Sequence, residues 1–229
     1  MAETKENNTQ ETCEESANSV EKPQKPKTKQ SRDRQFLTSY HGREMFSDGF
    51  VERRDLEQYF WTDKTINGIL DALKFSFGPD ASCCLCTPTL AHTWWVEGEA
   101  VSLLEIDTRF QYLPKFRYFD LRYPEETGVN LEEQELWRVI VFDPPFFYIP
   151  MQVLYDAVLY VCQNKIKTTK LLLGFLKREE RLLLTTFKEF NLKRTNFPLE
   201  YAHVKPNKWI NYALYSNVDL PGIKRRGKK

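Results

Sequence analysis

Trp137-Arg-Val-Ile-Val-Phe142 runs straight into Asp143-Pro144-Pro145-Phe146. Four consecutive large apolar residues, without polar alternation, predict a strand buried on both faces. Two prolines then bar any continuation of the ladder, since neither carries a backbone N–H and both fix φ. The aspartate therefore stands at the carboxyl end of an inner strand. Asp143 and the Pro144 carbonyl would be two acceptors, suited to the donors of an amino group. Phe146 would add a flat apolar face, on which a ring can stack or an ammonium can lie. This string points to a nitrogen held by acceptors and flanked by an aromatic.

Outward from it, similar runs recur. Residues 82–87, 101–106, 116–121 and 170–175 read as further strands, with turn signals at Pro88, Asp107, Asp120 and Pro124. Between them lie helical patterns. Thr62 or Asp63 can cap a helix carrying Ile66, Ile69, Leu70 and Leu73, closed by Gly78-Pro79. A second helix is expected around Trp94 and Trp95, a third through Val153, Leu154, Ala157, Val158 and Val161, and a fourth over residues 177–190. The stretch 209–215 reads as β-like. Continuous apolar strands alternating with helices predict an α/β fold with a mostly parallel sheet of the doubly wound kind, helices on both faces. Ligands of such sheets sit beyond the carboxyl ends of the strands. Those ends carry Thr87-Pro88, Asp107, Asp120 and Asp143, and three carboxylates along one edge suit a polar, hydroxyl-bearing cofactor.

These motifs together resemble a known group of enzymes. Asp143-Pro144-Pro145-Phe146 resembles the motif of amino-methyltransferases that use S-adenosyl-L-methionine. The surroundings are similar to the eukaryotic N6-adenine methyltransferase-like family. Gln58-Tyr59-Phe60-Trp61-Thr62-Asp63-Lys64-Thr65 resembles its opening element, and Cys86-Thr87-Pro88 its first strand end. Glu105-Ile106-Asp107-Thr108-Arg109-Phe110 is similar to its Glu-x-Asp-x-Arg-Phe, and Tyr118-Phe119-Asp120 to its third strand end. Asn207-Lys208-Trp209 and Asn217-Val218-Asp219 are similar to its closing segments.

The resemblance implies an α/β, Rossmann-like class I methyltransferase fold with a mostly parallel seven-stranded sheet and helices on both faces, and it implies roles. Asp143, Pro144, Pro145 and Phe146 would be catalytic. Asp107 would take the ribose hydroxyls, Asp120 the adenine amino group, and Thr87 and Pro88 the methionine part, with Tyr59, Phe60 and Trp61 covering it. Phe147, Asn207 and Trp209 would face the substrate, and no metal is implied. The acceptor stays open between two branches. One methylates a lysine of translation elongation factor 1-alpha, and the other an adenine in RNA. The closing Asp219-Leu-Pro-Gly-Ile and the lack of zinc-binding cysteine modules favour the lysine branch, while Phe146 in place of tyrosine leans toward the RNA branch. A non-catalytic binding module of the same fold is the third reading.

Composition bounds the rest. The chain has 229 residues, 41% hydrophobic and 14% aromatic, enough for a packed core, and a net charge of +1 that gives no overall nucleic-acid footprint. No apolar run reaches membrane-spanning length, and none near the start resembles a signal peptide. Five cysteines, three of them in Cys83-Cys84-x-Cys86, suit no ordinary disulfide framework, so a reducing, cytoplasmic setting is expected. Residues 1–35 hold no aromatic residue and divide into an acidic then a basic half, which predicts a disordered tail. The expected organisation is that tail, a methyltransferase domain over 36–223, and a basic C-terminal tail over 224–229. Those basic tails could gather nucleic acid or direct nuclear import, and the oligomeric state is not encoded in any of these patterns.

Overall fold

A computed structural model describes residues 50–127 and 137–227 of the chain. The expected N-terminal tail therefore lies outside the described residues, as do residues 228 and 229.

Seven strands form one sheet: β1 (Ser82–Leu85), β2 (Ser102–Glu105), β3 (Phe116–Tyr118), β4 (Val139–Phe142), β5 (Lys170–Leu176), β6 (Lys193–Arg194) and β7 (Tyr212–Ser216). Their order across the sheet is β3-β2-β1-β4-β5-β7-β6. The first five neighbours are parallel; β7 runs antiparallel to both β5 and β6. Every residue of β1, β2 and β4 is buried, as strands covered on both faces must be. The register puts Phe142 beside Leu85 on one side and Leu173 on the other, so β1 and β4 end level while β5 runs on to Leu176, and Asp143 emerges at the middle of the edge.

Among the described residues four α-helices accompany the sheet: α1 (Asp63–Ser76), α2 (Pro88–Val96), α3 (Met151–Val161) and α4 (Glu180–Thr186). Thr62 caps α1, its hydroxyl accepting from the Thr65 N–H at 3.3 Å. Gly78, with φ of 77°, takes the left-handed turn that ends the helical region. Pro88 begins α2, where its missing N–H costs nothing. From the central pair, β1 crosses to β2 in one direction through α2, and β4 crosses to β5 in the other through α3. Right-handed crossovers in opposite directions place these two helices on opposite faces. The reversal between β1 and β4 is the topological switch point, where an open α/β sheet presents its crevice.

Two expectations change. The segment 177–190 is not one helix: α4 covers only Glu180–Thr186, with 3-10 turns at Lys177–Glu179 and Lys188–Phe190. Trp209 is not in a strand either. It belongs to a 3-10 turn, Pro206–Asn211, because Pro206 opens a turn there and extended backbone resumes only at Tyr212. Among the described residues no helix is long and apolar enough to cross a membrane.

Candidate active site

The switch point opens into a cleft of about 730 Å³, measured to its open mouth. Its floor is the carboxyl edge of the sheet. Cys86 and Pro88 follow β1, Glu105 and Ile106 close β2, Phe119 and Asp120 follow β3, and Asp143 to Phe146 follow β4. Its cover is the segment before α1, residues 55–59. Five carboxylates line this space (Asp55, Glu57, Glu105, Asp120 and Asp143) against a single guanidinium, Arg122. Such a wall favours cationic or hydroxyl-bearing ligands.

Asp143 is the most constrained of the five. Tyr201 is wholly buried and its hydroxyl donates to Asp143 Oδ1 at 2.9 Å. On the β5 side the carboxylate lies so close to Gly174 that a Cβ there would collide with Oδ1, so the glycine makes room for it. Burial pushes the Asp143 carboxyl well above the ordinary aspartate range, and the Tyr201 hydroxyl offsets only part of that. No cation pairs with it among the described residues.

Phe146 is enclosed by rings. Tyr59 stacks on it at 5.7 Å and 21°, Phe175 and Tyr201 meet it edge-on at 5.5 and 6.1 Å, and Tyr212 lies at 5.5 Å. Only 7% of its surface stays exposed. The loop beyond it is held by Glu57, whose Oε2 accepts from the N–H groups of Phe147 at 2.9 Å and Tyr148 at 2.7 Å. Glu57 itself stands at φ of 50°, a left-handed conformation uncommon outside glycine.

Asp107 is placed otherwise than the resemblance implies. It is fully buried and takes no part in lining the cleft. Its carboxylate receives Arg109 Nε at 3.0 Å, Arg109 Nη2 at 2.6 Å, the Arg109 backbone N–H at 3.1 Å and Gln58 Nε2 at 3.1 Å. Burial alone would raise its pKa, but these donors outweigh it and hold the carboxyl below the usual range. Gln58 also accepts from Arg109 Nη2 at 3.0 Å, so the unit ties the covering segment to the end of β2.

The carboxylate that reaches the cleft from β2 is Glu105, two residues earlier. The apolar run ends at Glu105 rather than after Ile106, which shifts the strand end back. Glu105 is 4% exposed, and its Oε1 accepts the Asp107 N–H at 3.0 Å. Burial raises its pKa to about 7; the Asp107 N–H lowers it in part.

The other expected residues divide. Tyr59, Pro88, Asp120, Asp143, Pro144, Pro145 and Phe146 meet in the cleft. Asp120 Oδ1 accepts the Arg122 N–H at 2.9 Å, as the lead residue of a turn. Phe60 and Trp61 are buried beneath the cover, and Thr87 is buried with its hydroxyl directed at the Val141 carbonyl, 3.4 Å away. Phe147 sits exposed on the rim with the Arg178 guanidinium 5.1 Å from its ring centre. Asn207 is exposed on the 3-10 turn. Trp209 supports the site from behind, its indole N–H donating to the Tyr201 carbonyl at 3.0 Å. Cys83 and Cys84 are core residues as expected, whereas Cys86 turns into the cleft at φ of 52°. Among the described residues no group of three or more metal-ligating side chains gathers.

Tyr201, Gly174 and Tyr212 have no local signature. They reach Asp143 and Phe146 only through long-range pairing: residues 60–62 bridge 200–202, and β5 pairs with β7. Glu105 did carry a signal, because a charged residue within a wholly buried run is itself anomalous.

No curated protein matches this chain. Residues 52–220 match the family model described as Probable N6-adenine methyltransferase, a span that contains every residue lining the cleft, its cover included. That span is well over half of the chain, and the chain belongs to this methyltransferase family.

Proposed function

We propose that this protein is an S-adenosyl-L-methionine-dependent N-methyltransferase acting on a lysine side chain, with translation elongation factor 1-alpha as the protein substrate. The observation that carries the choice of acceptor is the enclosure of Phe146. Tyr59 covers one face, and Phe175, Tyr201 and Tyr212 crowd the remainder. A purine needs a free face to stack on and would have to displace Tyr59. A lysine's slender chain needs only an aromatic wall and an acceptor at its end.

The donor set suits the cofactor. Glu105 is an acceptor for ribose hydroxyls, Asp120 for the adenine amino group, and Ile106 and Phe119 flank the ring's space. The acidic cleft favours a sulfonium and an α-ammonium. The bound cofactor supplies an electrophilic methyl carbon on sulfur, and the chain's residues do the rest. Asp143 receives and orients the ammonium, with the Pro144 carbonyl as a second acceptor. Because burial makes the Asp143 carboxylate more basic than an exposed one, it takes the ammonium proton and frees the nitrogen lone pair. The aromatic wall excludes water and holds the chain in line, which is where most of the rate is gained in a single displacement.

The test is transfer of a labelled methyl group from S-adenosyl-L-methionine into a cell extract, with and without ribonuclease, alongside Asp143→Ala. Label in a band of elongation-factor size that survives ribonuclease and vanishes with the variant is the expected result. Label lost to ribonuclease would transfer the reading to adenine in RNA. Incorporation equal to that of the variant would leave a binding module.

A further inference from the structure

Behind the aromatic wall lies a second cavity of about 630 Å³, again measured to its mouth, and it is opposite in charge to the first. Lys177 after β5, Arg194 in β6 and Arg226 near the C-terminal end of the described chain line it, with Phe197, Trp209 and Tyr212 as apolar walls. Little compensates these cations. Glu180 reaches Arg194 Nη1 at 3.5 Å and also accepts the Tyr215 hydroxyl at 2.9 Å. Glu200 is on the wall too, but Lys64 binds its carboxylate at 2.6 Å. Arg226 Nε is spent on the Thr195 carbonyl at 3.0 Å. Lys177 has no ion pair among the described residues, and Arg194 Nε is buried with no acceptor. Partial burial together with the neighbouring guanidinium charges lowers the Lys177 pKa, as expected where cations are crowded without a counter-ion.

The two spaces share a wall. Tyr212 lines the basic cavity, and its ring lies 5.5 Å from Phe146, which lines the acidic cleft. The step from one to the other crosses the paired rings of Phe146 and Tyr212, so an extended peptide at about 3.4 Å per residue reaches from one space into the other in roughly two to four residues. A ligand matching both must be bipolar, with a cation entering at Asp143 and an anion close behind. A nucleic-acid strand would bring phosphates past five carboxylates, against the sign of that field. A peptide with an acidic side chain near its lysine meets both fields favourably.

We infer that the cavity formed by Lys177, Arg194 and Arg226 is the specificity pocket for an acidic side chain of the protein substrate, lying within about four residues of the methylated lysine. This rests on the lysine reading above. Tyr212 serves both sides, as part of the ring enclosure around Phe146 and as the wall that sets the spacing between lysine and acid.

The probe is a set of lysine-centred decapeptides carrying Glu or Gln at each position from four before to four after the lysine, assayed with the full chain and labelled S-adenosyl-L-methionine. Expected is a preference for Glu of tenfold or more in kcat/KM at one or two positions. The double substitution Lys177→Ala with Arg226→Ala abolishes that preference. It also raises KM for intact elongation factor 1-alpha about tenfold while kcat and cofactor affinity stay within about twofold. Lys177→Arg retains the preference. Both substituted side chains reach solvent, so a melting temperature within about 2 °C of the parent shows that the fold is kept. Equal use of Glu and Gln peptides, with lysine still methylated, overturns the pocket and spares the lysine reading. No methylation of any peptide or of the elongation factor overturns the lysine reading itself. Competition by decauridylate that the double substitution removes assigns the cavity to nucleic-acid phosphate, and the inference falls.

Discussion

Asp107 and Asp143 are a natural comparison. Each follows a strand of the same parallel sheet and each is taken largely out of water, yet their carboxyls are driven in opposite directions. Asp107 is met by a guanidinium on two edges, a backbone N–H and a side-chain amide. Asp143 is met by one phenolic hydroxyl, a neutral donor. Burial is common to both, and the counter-ion is what differs. A carboxylate that must anchor a segment is given a cation. On the proposed lysine reading, Asp143 receives its cation from the substrate, and the fold carries the cost of its isolation until then.

The largest test of this contrast is Asp143→Asn. The amide keeps the shape and can still accept from Tyr201, but it takes no proton. Methyl transfer should fall about 10³-fold, about 4 kcal/mol in the barrier, with cofactor affinity by calorimetry within about threefold of the parent. A loss below tenfold would make Asp143 merely another anchor. Next is Arg109→Ala, which strands Asp107 as a buried, uncompensated charge. Stability by urea unfolding should drop by about 3 kcal/mol, the lower end for a broken buried pair because Arg109 is one-third exposed. Asp107→Asn in the same background should recover part of that loss. If Arg109→Ala unfolds at the parent's midpoint, the two aspartates do not differ in the way described.

Glu105 sharpens the comparison from between them, for it is buried like Asp107 but held without a direct cation. Its carboxyl rises from about 4.5 when unfolded to about 7 when folded. The stabilising contribution is therefore complete below pH 4.5 and is lost as pH rises through 7, a decline of order 3 kcal/mol. Glu105→Gln should flatten that part of the pH–stability curve, followed by thermal melts, while weakening cofactor binding. The smallest effect is expected of Tyr201→Phe. Without the hydroxyl, the Asp143 pKa rises further, so the acidic limb of the pH–rate profile moves to more alkaline pH. Activity at neutral pH falls about tenfold, the worth of one hydrogen bond to a charged group. A limb that moves toward acid would reverse the assigned role of the tyrosine.

What the chain discloses on reading and what it withholds follow from range. The inner strands are legible because double burial leaves no polar alternation, and Asp143 is legible because two prolines fix where β4 must stop. Strand ends without such punctuation are less so. Ile106 extends the apolar run of β2 by one residue, and that single residue moves the cleft carboxylate from Glu105 to Asp107 in the reading. Similarly, Trp209 and Ile210 look like strand, but they belong to a turn that Pro206 opens. Tyr201 is illegible for a deeper reason. Its place beside Asp143 depends on a pairing across 140 residues of sequence between the covering segment and the stretch ahead of β7.

Glu57 has a consequence for the order of events. It lines the cleft within the covering segment, and its carboxylate holds the two N–H groups after Phe146, which on the proposed reading are the cofactor and acceptor sides. A ligand that settles the cover therefore settles the acceptor loop through one side chain, and the converse holds. Such coupling is reciprocal by thermodynamic necessity: whatever factor the cofactor adds to acceptor affinity, the acceptor returns to cofactor affinity. Glu57→Gln, which weakens the clamp without removing the side chain, would let the two ligands bind as strangers.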